Sequence, residues 1–305
     1  MDGARCVSGV SLLLLLLVVV TATADATATK CRVEECPNFR AIRYHEELGC
    51  ERSDDPSECC PTSFNCSSLL SADRMKCYYR GTMLELGAET GDEREDKCIP
   101  SCECAKDPYG TNGGEAAFRC PLTDCVVYAV PRDQEDICYV TDALDACCPT
   151  GVRCVNDVEN PRDLAECPYN EKIYREDQRI DGTYFECKKC VCKEGFDGTL
   201  DGPWCKRQTC EYSLYHTASE LRGCAPVFRE GDNCCASRFH CPSADDSVVR
   251  HSETTTENEG GKCSFGDHRL NTGDELLVGT DGCVKCRCDV PPFVTCTHRA
   301  DHACE

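Results

Sequence analysis

Long hydrophobic stretches are almost missing from this 305-residue chain, which also contains only one tryptophan and three methionines. Aromatic residues make up 7% of the sequence, and amphipathic periodicity is hard to find. This composition excludes a large hydrophobic core and predicts small units that need covalent cross-links to be stable. The motifs G-x-S-x-G and H-E-x-x-H are also missing, so we expect no enzyme activity, no catalytic residues and no cofactor.

The one long apolar run is the 14-residue block Val7–Val20, which follows Arg5 and precedes Ala22-Thr23-Ala24. A base, a short apolar block and a small-x-small site in this order are typical of a secretory signal peptide, here residues 1–24. The block is shorter than the roughly 20 residues of a membrane span. An uncleaved signal anchor is the alternative. We therefore expect a secreted, extracellular protein without a membrane span.

Basic residues are scarce, with 33 Lys and Arg against 54 Asp and Glu, and the formal net charge is −21. Nucleic acid is therefore excluded as a partner, whereas a basic protein would suit an acidic chain. Residues 77–154 hold 15 acids against 7 bases, and residues 167–241 hold 12 against 11. Simple solubility is the alternative explanation of this charge. Five bases keep glycosaminoglycan open as a weaker partner hypothesis: Lys188, Lys189, Lys193, Lys206 and Arg207.

Cysteine, in contrast, is abundant, with 33 residues in the chain. This exceeds the roughly 8–10% that marks a disulfide scaffold. Loss of Cys6 with the signal peptide leaves 32 cysteines, an even number that could form disulfides in the oxidising secretory pathway. A cysteine nucleophile needs a free thiolate, and an even count argues against one.

The cysteines recur in a fixed order. A lone cysteine is followed after 20 or 21 residues by a C-x-x-C-x-C cluster, then by C-x4-C, a lone cysteine, a C-C doublet and a last cysteine. Two complete ten-cysteine copies occur, and we predict that all of their cysteines form structural disulfides: Cys77, Cys98, Cys102, Cys104, Cys120, Cys125, Cys138, Cys147, Cys148, Cys154, Cys167, Cys187, Cys190, Cys192, Cys205, Cys210, Cys224, Cys234, Cys235 and Cys241.

Two incomplete copies flank the complete ones. Residues 31–66 contain only the second half of the frame, and residues 263–304 contain the first half followed by Cys296 and Cys304. Each fragment has six cysteines. Each could therefore close internally, or the two could meet as one split module. Residues 242–262 are polar and free of cysteine, which predicts a flexible linker.

Metal binding is the alternative use of the C-x-x-C pairs. The C-C doublets and the ten-cysteine frame favour disulfides over zinc, and the first cluster, C-I-P-S-C-E-C (98–104), contains one extra residue. In a strand, the two cysteines of C-x-C would face the same side. His298, His302 and Cys304 could hold a metal, but a solvated tail is favoured. We expect no metal site.

This frame resembles the von Willebrand factor type C module. Residues 167–241 fit best, with Tyr174, Asp181-Gly182 and Phe185-Glu186-Cys187 leading into the cluster. Residues 77–154 form the second complete copy. The resemblance implies a small, disulfide-rich β fold of tandem modules with little helix. Each module would have a short antiparallel sheet in its first half and mostly loop in its second half.

The same resemblance implies a function. Chordin-like, crossveinless-like and kielin-like secreted regulators use such modules to bind dimeric growth factors of the bone morphogenetic protein and transforming growth factor β class. We therefore expect a secreted binding protein that modulates signalling by sequestering its ligand, through residues that the sequence does not identify. A structural matrix or secreted-fluid protein is one alternative. A protease inhibitor is another, since residues 98–104 are similar to part of trypsin-inhibitor-like modules.

Four local predictions complete the sequence-based picture. Residues 182–187 and 274–280 are expected to form strands. Asn65, in Asn65-Cys66-Ser67, is the possible N-glycosylation site, although a bridged Cys66 could hinder modification. His45-Glu46-Glu47 lacks the second histidine of a zinc protease motif and is expected at the surface. The acidic run 91–97 is expected to be a solvated loop and not a calcium site.

Overall fold

The computed structural model describes residues 32–55, 57–91, 98–108, 110, 113–121, 123–158, 164–232, 234–251, 261–279, 281–300 and 304. These residues all lie in the unit Arg32–Glu305. The signal peptide predicted at residues 1–24 is outside the described residues. So are most of the acidic run, residues 252–260 of the predicted linker, and His302.

Short strands, most of them antiparallel, form most of the regular structure, which confirms the predicted small, disulfide-rich β class with little helix. The longest strand that the structure describes has seven residues. The strands are β1 Glu51–Arg52, β2 Phe64–Asn65, β3 Cys77–Tyr79, β4 Thr82–Leu84, β5 Glu103–Lys106, β6 Ala116–Arg119, β7 Cys138–Thr141, β8 Gly151–Cys154, β9 Glu166–Tyr169, β10 Lys172–Arg175, β11 Lys188–Cys190, β12 Cys205–Arg207, β13 Ala225–Arg229, β14 Arg238–His240, β15 Ser247–Val249, β16 Lys262–Phe265, β17 His268–Asn271, β18 Glu275–Leu277, β19 Val284–Val290 and β20 Phe293–His298.

The described strands are arranged as six antiparallel pairs and one larger sheet. The pairs follow chain order, from β1 with β2 to β11 with β12. The eight-stranded sheet runs β14-β13-β20-β19-β18-β15, and β16 pairs with both β17 and β20. In this sheet β13 lies parallel to β20, with Val227 opposite Cys296. The end of module 167–241 therefore shares a sheet with the C-terminal fragment.

In the described ranges, four short α-helices lie in the second halves of the frame or just after them, where we expected mostly loop. They are α1 Phe39–Glu47, α2 Ser67–Leu70, α3 Tyr212–Tyr215 and α4 Ala218–Gly223. In α1 the buried Tyr44 and His45 follow the buried Ala41 by three and four residues, so both lie on the same side of the helix as Ala41. At the start of α4, Thr217 and Glu220 form a capping box that satisfies two backbone N–H groups.

A central core joins three separate parts of the chain. Tyr44 of α1 meets Tyr212 edge-on at 5.2 Å between ring centroids and Phe293 at 6.3 Å. Its hydroxyl donates a hydrogen bond to the Leu221 carbonyl at 3.2 Å. The core consists of Cys36, Ala41, Ile42, Tyr44, Leu48, Phe64, Cys66, Leu69, Ala72, Tyr78, Tyr212, Ala218, Leu221, Phe228, Val290 and Phe293.

His45 is fully buried in this core, so its expected surface position is wrong. Its ring stacks between Phe64, at 4.9 Å, and Phe293, at 5.5 Å. Its Nδ1 lies 2.6 Å from the Ala41 carbonyl oxygen, whereas its Nε2 has no hydrogen-bond partner among the described atoms. Burial lowers the pKa of His45 to about 4. The H-E-E motif is polar, but the histidine is neutral in the folded protein. It can therefore be buried between two aromatic rings.

The two terminal fragments both close internally and meet. Disulfides join Cys36 to Cys60 and Cys50 to Cys66 in the first fragment. In the last fragment they join Cys263 to Cys288, Cys283 to Cys304 and Cys286 to Cys296. Within the described ranges, no disulfide crosses between them. Contact is non-covalent, through the His45 stack and a 2.9 Å hydrogen bond from the Phe64 N–H to the Pro291 carbonyl.

The two strand predictions have different outcomes. Residues 274–280 contain β18, as predicted. The prediction for residues 182–187 is wrong, because Thr183–Glu186 forms a 3-10 helix. Gly182 and Cys187 have φ values of 80° and 56°, and these left-handed residues bound the turn on either side. A short aromatic segment between two such residues cannot continue as a strand.

The interval expected to be a flexible linker begins with ordered structure. Strand β15 lies within it and pairs with β18, so that Val248 packs against the core of the C-terminal fragment. The buried Asp246 carboxylate accepts hydrogen bonds from the Ser243 and Gly279 N–H groups, and its Oδ2 lies 3.0 Å from His240 Nε2. This network binds the start of the interval to the last fragment.

Acid should weaken the central core through His45. Its pKa of about 4 in the folded protein lies below the value of roughly 6.5 in an unfolded chain, so protons bind preferentially to the unfolded state. The histidine's contribution is fully present above pH 6.5 and is lost as the pH falls toward 4, by about 3 kcal/mol in all. We expect His45→Phe to remove this part of the pH dependence, measured by thermal unfolding between pH 7 and 4. The exposed His251→Phe is the control, and an equal effect there would contradict the assignment.

Candidate binding site

The disulfides of module 167–241 define the frame on which any binding surface is built. In chain order the first cysteine pairs with the fourth, the second with the eighth, the third with the fifth, the sixth with the ninth and the seventh with the tenth. The bonds are Cys167–Cys192, Cys187–Cys234, Cys190–Cys205, Cys210–Cys235 and Cys224–Cys241.

Module 77–154 repeats four of these five pairings. Its bonds are Cys77–Cys104, Cys102–Cys120, Cys125–Cys148 and Cys138–Cys154. Cys147, in the eighth position, has no disulfide, and Cys98 stands in the second position. The terminal fragments keep the same order as far as their cysteines allow. Cys304 pairs with Cys283, so it takes the place of the missing doublet.

Strand geometry explains why neighbouring cysteines choose different partners. Cys190 and Cys205 are directly opposite each other in β11 and β12, as are Cys286 and Cys296 in β19 and β20. Along β19, buried Cys286 and Cys288 alternate with exposed Lys285 and Arg287. The C-x-C cysteines of this copy therefore point to one face, as predicted.

The four-sulfur cluster of module 167–241, which resembles a metal site, is made of two adjacent disulfides. Sulfur atoms of four cysteines lie within 4.8 Å of one another: Cys187, Cys210, Cys234 and Cys235. All four are consumed by the bonds Cys187–Cys234 and Cys210–Cys235. The C-K-K-C-V-C segment thus supplies disulfides, and none of its thiols remains to bind zinc. In the tail, the Cys304 sulfur is also occupied, by Cys283.

The five bases considered for glycosaminoglycan binding are all ion-paired. The pairs are Lys188 with Asp201 at 3.5 Å, Lys189 with Asp142 at 2.8 Å, Lys193 with Asp177, Lys206 with Asp145 at 3.5 Å and Arg207 with Glu46 at 3.4 Å. Three of their partners belong to other parts of the frame: Asp142, Asp145 and Glu46. Lys189, Lys206 and Arg207 therefore help to join separate parts of the chain. A glycosaminoglycan contact remains a prediction.

Lys189 makes the most buried of these junctions. Its side chain is 12% exposed and that of Asp142 is 9% exposed. The ammonium group also donates hydrogen bonds to the carbonyls of Ala143 and Ala146, each at 2.8 Å. A lysine of module 167–241 is thus enclosed by the end of module 77–154, which fixes the two modules against each other at this point.

Asn65 is exposed at the end of β2. Its side-chain carbonyl accepts a hydrogen bond from the Ser67 N–H at 3.0 Å, at the beginning of α2. The neighbouring Cys66 is buried and bonded to Cys50. The side-chain amide is accessible for modification in the folded protein, and glycosylation remains a prediction.

A cavity of about 470 Å³ lies between the two terminal fragments. Its volume falls within the range of ligand pockets. Burial raises the pKa of Asp289 on its wall, although the Arg287 Nε lies 3.3 Å away. Walls of mixed polarity with one carboxylate can hold a side chain that has both an apolar part and a cationic or hydrogen-bonding end. The lining residues are Cys36, Pro37, Asn38, Ile42, Cys60, Pro61, Thr62, Ser63, Gly261, Thr272, Asp289, Val290 and Pro291.

Sequence reasoning missed this cavity and one exposed apolar segment. The cavity could not be found because its two walls are separated by about 200 residues of the chain. The segment, V-V-Y-A-V at residues 126–130, had a signal: it is an unbroken apolar run in a chain with few such runs. Val126 and Val127 are 67% and 89% exposed.

The repeated pairing predicts a further disulfide between Cys98 and Cys147, matching Cys187–Cys234. In the structure the Cys147 sulfur lies within 4.8 Å of those of Cys125 and Cys148, as the eighth cysteine should. We expect mass spectrometry of a non-reduced digest to find a Cys98–Cys147 peptide. The Cys187–Cys234 peptide is the internal control, and alkylation of Cys147 before reduction would contradict the prediction.

Loss of the Lys189 charge should destabilise the junction between the two complete modules. Lys189→Met leaves the Asp142 carboxylate buried without its counter-ion, at a cost of about 3–5 kcal/mol. Lys172→Met is the matched control, because Lys172 and Asp181 are 66% and 69% exposed and such pairs contribute less than about 1 kcal/mol. Unfolding by guanidinium with the disulfides intact would measure the stability of both variants. Equal losses of stability would contradict the role of Lys189 in the junction between the modules.

Comparisons with known proteins found no match: the chain matches no protein-family model, no curated protein and no solved structure. Among the described residues, no helix has the length and apolar character needed to cross a membrane. The fourteen disulfides between described residues fit an extracellular environment.

Proposed function

We propose that this chain is a secreted binding protein built from modules of the von Willebrand factor type C kind. It binds dimeric growth factors of the bone morphogenetic protein and transforming growth factor β class. By covering a receptor-binding surface of the growth factor, it sequesters the ligand and modulates its signalling. No catalytic step forms part of this proposal.

The observation that carries the proposal is a disulfide frame that stays the same between modules while the exposed segments between its cysteines differ. The same disulfide order recurs along the chain, yet the segments between equivalent cysteines differ. Between the sixth and seventh cysteines, module 167–241 has two α-helices, whereas module 77–154 has an exposed segment with one short 3-10 helix, Arg132–Gln134. A rigid frame that presents different segments is typical of binding modules, because a pre-organised surface loses little entropy on association.

Charge supports a basic protein as the ligand. The formal net charge of the chain is −21, and module 77–154 holds an excess of eight acidic residues. Opposite charges on the two partners would accelerate their encounter and make it dependent on salt. Two modules fixed against each other at the Lys189 junction could contact both halves of a dimer, so that the second contact gains from effective concentration.

Binding to immobilised growth-factor dimers tests the proposal. We expect the purified, oxidised protein to bind at least one dimer with a dissociation constant of about 1 μM or below, since specific complexes of standard size lie in this range. Binding should weaken at raised salt and disappear after reduction and alkylation, which destroy the frame.

The same experiment separates the alternatives. An oxidised protein that binds no dimer in the panel, with its disulfides confirmed by mass spectrometry, would overturn the growth-factor proposal. A matrix protein would instead self-associate or bind glycan. A protease inhibitor would have one exposed loop that is occupied or cut by a protease.

A further inference from the structure

Three segments of the chain are equivalent because they connect the sixth and seventh cysteines of the frame. They span residues 36–50, 125–138 and 210–224. Each begins and ends at a cysteine that is disulfide-bonded to the end of its own module or fragment, so all three are held at both ends.

Two of these segments pack against other parts of the same protein. The first forms α1 and buries Ile42, Tyr44 and Leu48 in the central core. The third forms α3 and α4 and buries Tyr212 and Leu221 in the same core. In both cases the apolar side chains of the segment are covered by other parts of the chain.

The second segment, residues 125–138, also has apolar residues, but other described parts of the chain do not cover them. Val126, Val127 and Tyr128 are 67%, 89% and 37% exposed. Residues 123–130 form neither helix nor strand. Within the described part of the chain, the backbone N–H groups of residues 126–130 donate no hydrogen bond. A β-branched run with free N–H groups is what an added strand requires.

We propose that the Val126–Val130 segment is a docking surface for an edge strand of a basic protein partner. The partner's strand would pair with the free backbone groups, and its apolar side chains would cover Val126 and Val127. This inference rests on the proposed function, in that the partner is taken to be the extracellular protein ligand.

The surrounding charge identifies the partner as basic. Four exposed acids flank the segment, and none of their carboxylates forms an ion pair with a described residue: Asp124, Asp133, Glu135 and Asp136. Arg132 is the one base among residues 123–137. A second copy of this chain would bring the same acids together and be repelled, whereas a basic strand would be attracted. Pro131 and the acids also limit unspecific strand pairing, as at protected sheet edges.

A matched pair of substitutions tests the surface. Val127→Asp places a carboxylate in the proposed contact, and we expect the dissociation constant for the growth-factor dimer to rise at least tenfold. Ile173→Asp is the control, because Ile173 is 66% exposed on β10 in the other complete module. Its dissociation constant should stay within twofold of the unchanged protein. Hydrogen exchange should also show slower exchange at residues 126–130 when the dimer is bound.

The outcomes separate this inference from the proposed function. A protein that binds the dimer equally well with and without Val127→Asp, and shows no protection at residues 126–130, overturns the docking surface alone. A protein that binds no dimer overturns the proposed function and this partner with it. Self-association of the unchanged chain that is lost in Val127→Asp, seen by sedimentation, would assign the surface to a second copy and overturn the basic partner.

Discussion

Loop closure by disulfides is the constraint on which the rest of this structure depends. Few of the described strands exceed four residues, and isolated hairpins of that length are marginal in water. Bonds such as Cys190–Cys205 and Cys286–Cys296 join opposite residues of a strand pair. Each removes conformational entropy from the unfolded chain, typically worth about 2–4 kcal/mol. Because the frame is covalent, the segments between cysteines need not serve as core, and their sequences are free to vary.

Non-covalent packing joins parts of the chain that the described disulfides do not connect. No described disulfide joins the two terminal fragments, yet His45 and its two phenylalanine neighbours bring them together. The interaction tolerates a histidine because burial keeps it neutral, and the same property makes the contact sensitive to acid. Tyr44 extends this core to module 167–241. One short helix thus links three parts of the chain that are distant in sequence.

Charge has two different roles in this acidic protein. Five bases of module 167–241 form ion pairs within the protein: Lys188, Lys189, Lys193, Lys206 and Arg207. Lys189 is enclosed by a carboxylate and two carbonyls of the preceding module. Among the described residues, the carboxylates around the Val126–Val130 segment have no ion-pair partner. An excess of acid therefore leaves one module with unpaired negative charge beside an uncovered apolar run, which is the combination expected of a surface for a basic protein.

The cysteine order alone determined the fold class, the repeat and the C-x-C facing rule, because abundant cysteines at recurring positions specify small disulfide-bonded modules, and alternate residues of a strand share a face. It did not determine which thiols pair, since ten cysteines allow many pairings. Helix α1 and the burial of His45 were decided by tertiary structure. Their apolar partners, such as Phe293, lie some 250 residues away and have no local signature. The cavity beside Asp289 likewise exists only where the two chain ends meet. Sequence spacing specifies local covalent geometry, whereas contacts between distant segments depend on surfaces that form only after folding.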